Sequence, residues 1–72
     1  MLDENEMQIL QIFGQRLLIR KDELRRVLNE GGLNDGVGAV ERLSGLGYLK
    51  MIEAVGSPCY TITQDGLRAL KR

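Results

Sequence analysis

Apolar residues recur along the chain as three helical stripes followed by two short alternating runs. The first stripe is Ile9, Leu10 and Phe13, with Met7 and Ile12 at its edges, and it predicts a helix from about Glu4 to Gln15. Asp3 followed by Glu6 has the spacing of a capping box, and Leu2 with Met7 fits the hydrophobic staple around it. The apolar face is wide enough to leave hydrophobic surface for a second partner. Arg16-Leu17-Leu18-Ile19 is too short and ambiguous to assign as helix and reads as an extended segment leading into the next element. A second helix is predicted over Lys21 to Glu30. Leu24, Val27 and Leu28 face inward, Lys21, Arg25 and Arg26 face outward, and Gly31 is placed to take the left-handed conformation that ends helices.

Asn34 or Asp35 then caps a third helix over about residues 35–46, in which Val37, Val40, Leu43 and Leu46 recur at the spacing of a buried face. Gly36, Gly38 and Gly45 within it each cost roughly 0.5–1 kcal/mol relative to Ala, so its stability must come from packing. Gly47 ends it. Leu49 to Ala54 alternate in part, Val55-Gly56-Ser57-Pro58 supplies turn chemistry, and Cys59-Tyr60-Thr61-Ile62 offers a return strand, which together predict a β-hairpin. Thr63 is a suitable N-cap for a last helical segment from Gln64 to Lys71, with Leu67 and Leu70 on one face. The expected fold is α+β, a single domain spanning residues 1–72.

Composition narrows the function classes. Hydrophobic residues at 43% against 28% charged, with one Pro, describe a folded globular domain rather than a disordered one. No apolar run approaches the roughly 18 residues of a membrane span, and the acidic start Asp3-Glu4-Asn5-Glu6 is unlike a signal peptide, so the expected location is cytoplasmic, without a membrane partner. The chain has no His, and Ser44 and Ser57 are its only serines, which removes the usual pairings of nucleophile and base; no enzyme activity and no cofactor are expected. Cys59 has no second Cys or His with which to share a metal and reads as a small buried hydrophobe. Gly36-Val37-Gly38 lacks both the third glycine and the preceding strand of a dinucleotide-binding fingerprint. Tyr48 and Tyr60 read as packing residues rather than platforms for stacked bases.

Net charge is zero, which weighs against a phosphate-rich partner, but the charge is unevenly placed. Residues 1–15 carry −3, residues 16–26 carry +3, residues 27–47 carry −2 and residues 48–72 carry +2. Positive charge therefore gathers around the second helix and the C-terminus.

Two signatures carry a family resemblance. The third helix closes with Leu43, then Gly47, Tyr48 and Leu49, and the return strand ends in Tyr60-x-Ile62-Thr63-x-x-Gly66-x-x-x-Leu70. Three helices followed by a hairpin, with these phrases at this separation, resemble the winged helix-turn-helix superfamily of MarR-, ArsR- and PadR-type regulators over nearly the whole chain. The resemblance implies a DNA-binding transcriptional regulator whose third helix enters the major groove of double-stranded DNA, with the wing touching the backbone or minor groove. The DNA-contacting set it implies here is Lys21, Arg25, Arg26, Asn34, Gly38, Arg42 and Lys50. The residue-level alternatives are a solvated basic face for Lys21, Arg25 and Arg26, and a surface ion pair with Glu41 or Asp35 for Arg42. A homodimer, needed to space two half-sites, would use Met7, Ile12, Leu67 and Leu70. The alternative function is a winged-helix module for protein–protein interaction or assembly without DNA binding, motivated by neutral charge, the glycines of the third helix and the wide face of the first.

Overall fold

The computed structural model of the chain describes residues 2–33, 36–54 and 56–71. Asn34 and Asp35, and with them the expected cap of the third helix, lie outside the described residues. The elements follow in the order α1 (Glu4–Arg16), β1 (Leu18–Arg20), α2 (Lys21–Glu30), α3 (Gly36–Gly45), β2 (Leu49–Ala54), β3 (Ser57–Ile62) and α4 (Gln64–Leu70). The three strands form one antiparallel sheet in the order β1-β3-β2. The described residues form an α+β fold with four helices.

The capping box at the start of α1 is present in both directions. Asp3 Oδ1 accepts the Glu6 N–H at 2.7 Å, and Glu6 Oε1 accepts the Asp3 N–H at 3.1 Å. The helix runs one residue beyond its predicted end and stops at Leu17, whose φ of 67° turns the chain out of the helix. That turn lets Leu18–Arg20 run extended against β3, with Ile19 opposite Tyr60. Of the extended segment read from the sequence, Leu18 and Ile19 lie in this strand, whereas Arg16 ends α1 and Leu17 is its C-cap.

α2 and α3 end in the same way. Beyond α2, Leu33 N–H bonds the Leu28 carbonyl at 2.8 Å and Gly32 N–H bonds the Asn29 carbonyl at 3.0 Å. Beyond α3, Tyr48 N–H bonds the Leu43 carbonyl at 3.0 Å and Gly47 N–H bonds the Ser44 carbonyl at 3.1 Å. Both are Schellman motifs, which require one residue at positive φ. Those residues are Gly32 (φ 78°) and Gly47 (φ 89°). Gly31, expected to hold this role, has φ −86° and is the ordinary C-cap before it. The α3 turn also overturns the expected burial of Leu46. Reversal at Gly47 brings Tyr48 against the core and leaves Leu46 53% exposed.

One apolar core joins all the layers. Ile9, Leu10 and Phe13 of α1 meet Leu24, Val27 and Leu28 of α2, Val40 and Leu43 of α3, and Ile19, Leu49 and Tyr60 from one face of the sheet. Gly36 sits where α3 crosses this core. A Cβ there would lie 2.8 Å from Leu28 Cδ1 and 3.3 Å from Ile9 Cδ1, so the close crossing needs a residue without one. The other sheet face carries Leu18, Thr61 and Lys50 in one row, away from the helices. Among the described residues no helix is long and apolar enough to cross a membrane.

Candidate nucleic-acid interface

α3 buries Gly36, Val40 and Leu43 and leaves a continuous exposed stripe of Gly38, Glu41, Arg42 and Gly45. The spacing follows from the helical period: residues three, four and seven apart share a face. Among the described residues nothing beyond the helix's own backbone and chain neighbours lies within 4 Å of where a Cβ would stand on Gly38 or Gly45. Of its residues, Arg42 alone offers hydrogen-bond donors from its side chain.

A groove of about 320 Å³ separates this helix from α2. Leu24, Val37 and Tyr60 contribute its apolar lining, while Lys21, Asp22, Arg25 and Glu41 supply charge, two cations and two carboxylates. Lys21 and Arg25 stand one turn apart on the flank of α2 that borders the groove, and both are exposed. Burial pushes the Tyr60 phenol above its ordinary value of 10.0, and the Glu41 carboxylate adds to the shift by opposing a phenolate.

The other predicted contacts fall elsewhere. Arg26 is exposed but absent from the groove lining, and it pairs with Glu23 at 3.7 Å. Lys50 is exposed on the sheet face turned away from the helices, so it does not join Lys21 and Arg25. Gly38 is exposed on α3 as expected, and Asn34 lies outside the described residues. Arg42 makes an ion pair with a residue of α1: its Nε lies 3.2 Å from Oε2 of Glu6, a side chain only 4% exposed. Glu6 was legible as a capping residue and not as a neighbour of α3, because the packing of α1 on α3 that joins them is nonlocal.

Met7, Ile12, Leu67 and Leu70, the expected dimer residues, are all half-buried within the chain itself. Ile12 packs against the core, with its Cδ1 near Gly31, and Leu70 packs over Gly14. The wide apolar face of α1 is thus used in part by the domain's own turns and by α4. Cys59 is buried as a free thiol whose Sγ donates to the Ser57 carbonyl at 3.6 Å. Among the described residues no three His, Cys, Asp or Glu side chains gather as a metal site.

No protein-family model, curated protein or solved structure matches this chain.

Proposed function

We propose that this chain is a small winged helix-turn-helix protein that binds double-stranded DNA and acts in transcriptional regulation in the cytoplasm. The order α1-β1-α2-α3-β2-β3 with the sheet ordered β1-β3-β2 supports the winged-helix reading, with β2 and β3 as the wing. The observation that carries the DNA reading is the open face of α3. A helix about 10–12 Å across fits a major groove about 12 Å wide. The α3 stripe is exposed, with Arg42 paired to Glu6 of α1 at its edge, and Lys21 and Arg25 flank it where phosphates would pass. The same reading includes a homodimer through α1 and α4, which would space two half-sites.

The decisive experiment titrates a labelled random duplex at low salt and again at 0.2 M salt. Binding near 10⁻⁴ to 10⁻⁶ M that weakens steeply with salt is expected, because a few phosphate contacts release counterions. Folded protein that binds no duplex at about 100 μM in low salt rejects the proposal.

The charge balance of the α2–α3 groove favours a second reading, a winged-helix module that binds another protein. Two cations and two carboxylates around an apolar floor suit a mixed protein surface as well as a phosphate backbone. Under that reading Arg42→Ala leaves partner binding intact.

A further inference from the structure

We propose that the outer edge of β2 is a docking surface for a second copy of the chain, which adds its own β2 antiparallel across a two-fold axis at Ile52. The surface is separate from α1 and α4 and does not depend on the DNA reading.

The direction of each backbone group on β2 follows from three observations. Thr63 N–H bonds the Tyr48 carbonyl at 3.1 Å, which makes Tyr48 and Thr63 a hydrogen-bonded pair at the base of the hairpin. From there the register runs without a slip from Leu49 opposite Ile62 to Ala54 opposite Ser57. Hydrogen-bonded and non-hydrogen-bonded pairs alternate along antiparallel strands. Lys50, Ile52 and Ala54 therefore turn their N–H and C=O toward β3, while Leu49, Met51 and Glu53 turn theirs away. Pro58 agrees: it has no N–H to give and stands opposite Glu53, at a pair where β2 needs none. In the strand order β1-β3-β2, the outward groups of β2 have no strand partner among the described residues. Nor do they take part in any turn, cap or side-chain hydrogen bond formed by those residues.

Sheet edges are ordinarily blunted by shortness, proline, a bulge or charge. The β1 edge is only 3 residues long. β2 has 6 residues, no proline and no bulge, and its two charges, Lys50 and Glu53, are of opposite sign and on opposite faces. Leu49 is buried by the fold, which leaves Met51 and Glu53 as the accessible part of the edge, with Met51 44% exposed. One antiparallel register uses both residues of both copies: Met51 opposite Glu53 of the second copy, and Glu53 opposite Met51 of the second copy. Each such pair exchanges N–H···O bonds in both directions. Ile52 then meets Ile52 of the second copy on the axis, at the closer spacing of a non-hydrogen-bonded pair, and Lys50 falls opposite Ala54, so no like charges face each other directly. Centring the axis on Met51 instead would spend Glu53 on the buried Leu49, and a slip of one residue would set the core-side row of one copy beside the outer row of the other. The edge is thus complementary to itself, which is why a second copy is its occupant. The axis stands perpendicular to the sheet and keeps the helices of both copies on one side.

Sedimentation equilibrium of the full chain, carried to about 1 mM, reads the association. A species of twice 8.1 kDa is expected, and protein that stays at 8.1 kDa overturns the inference. Met51→Pro removes the outward N–H and leaves the bonds between β2 and β3 in place, since proline is tolerated at edge positions that do not donate to the ladder. It is expected to raise the dimer dissociation constant about tenfold or more, one hydrogen bond being lost on each side of the axis, whereas Met51→Val, which keeps the N–H, should change it less than about threefold. A dimer that M51P weakens no more than M51V does is held by another surface and overturns the inference. If M51P does not fold, amide hydrogen exchange in the wild type decides, measured above and below the dissociation constant. The Met51 and Glu53 amides should exchange roughly tenfold faster on dilution, while Lys50 and Ile52, bonded to β3, stay protected throughout. Exchange at Met51 and Glu53 that does not respond to dilution overturns the inference.

Discussion

Replacing Gly66 by Ala tests how tightly α4 is pressed onto the turn that ends α3. A Cβ on Gly66 would stand 2.4 Å from the Tyr48 carbonyl oxygen and 2.7 Å from Ile62 Cγ1. Carbon and carbonyl oxygen approach comfortably only to about 3.3 Å, so the helix would have to recede by roughly 0.9 Å. Thr63 resists that movement. Its N–H bonds the Tyr48 carbonyl at 3.1 Å, its hydroxyl proton is shared between the Gly47 and Tyr48 carbonyls at 2.6 and 3.1 Å, and its Oγ1 accepts the Gly66 N–H at 3.1 Å. Weakening two of these at about 1 kcal/mol each, together with overpacking against Ile62 worth about 1–3 kcal/mol and less the roughly 0.5–1 kcal/mol that Ala gains over Gly within a helix, gives a loss of roughly 2–4.5 kcal/mol. A chain of this length has only about 4–11 kcal/mol of stability in all. At roughly 4–8 °C per kcal/mol, the melting temperature should fall by about 8–36 °C in a circular-dichroism melt. Gly38→Ala is the control, because the same substitution in open space on α3 should stabilise by roughly 0.5–1 kcal/mol. A Gly66 variant within about 0.5 kcal/mol of wild type would refute the close approach of α4 and the reasoning built on it.

Three further outcomes are expected. Gly47→Ala, which meets no neighbouring atom but must hold φ 89°, should destabilise by about 1–2 kcal/mol through backbone strain alone, measured by urea denaturation. Glu41→Gln removes an acid from the exposed α3 stripe and should raise low-salt affinity for random duplex about two- to fivefold; unchanged or weaker binding in a fluorescence titration contradicts a major-groove role for this face. The folded chain holds the Tyr60 proton more tightly than the unfolded chain does, so stability is full below pH 10.0 and declines as the pH rises past it. Tyr60→Phe should lose less stability than wild type between pH 9 and about pH 11, and identical pH curves would show that the buried phenol is not responsible.

Helices were legible because each carries its own local signature. The Asp3–Glu6 box and the Thr63 cap were both readable as spacing, and both are formed as hydrogen bonds. Strand β1 was not readable as a strand, since its pairing with Thr61, Tyr60 and Cys59 depends on residues far along the chain. The Schellman ends show where a pattern was only half used. Leu43 followed by Gly47 and Tyr48 belongs to the family signature, while Leu28 followed by Gly32 and Leu33 has the same spacing and the same hydrogen bonds. Adjacent glycines at 31 and 32 left the left-handed position ambiguous, and only the burial of Leu33 fixes it. At the candidate interface, exposure of Lys21, Arg25 and Arg42 followed from helical periodicity. Neither the ion pair of Arg42 with Glu6 nor the distance of Lys50 from the groove could be read, because both arise from how whole elements pack.

The central position of β3 governs how the chain can be made. Among the described residues β1 pairs with β3 alone, and Thr61 Oγ1 donates to the Leu17 carbonyl across 44 residues. During synthesis on a ribosome, β1 therefore emerges long before anything can pair with it. The sheet can close only once residues 57–62 have cleared the exit tunnel. Until then Leu17, Leu18 and the unpaired strand edges stay available to other nascent chains, which makes the domain's last third the segment on which its escape from aggregation depends.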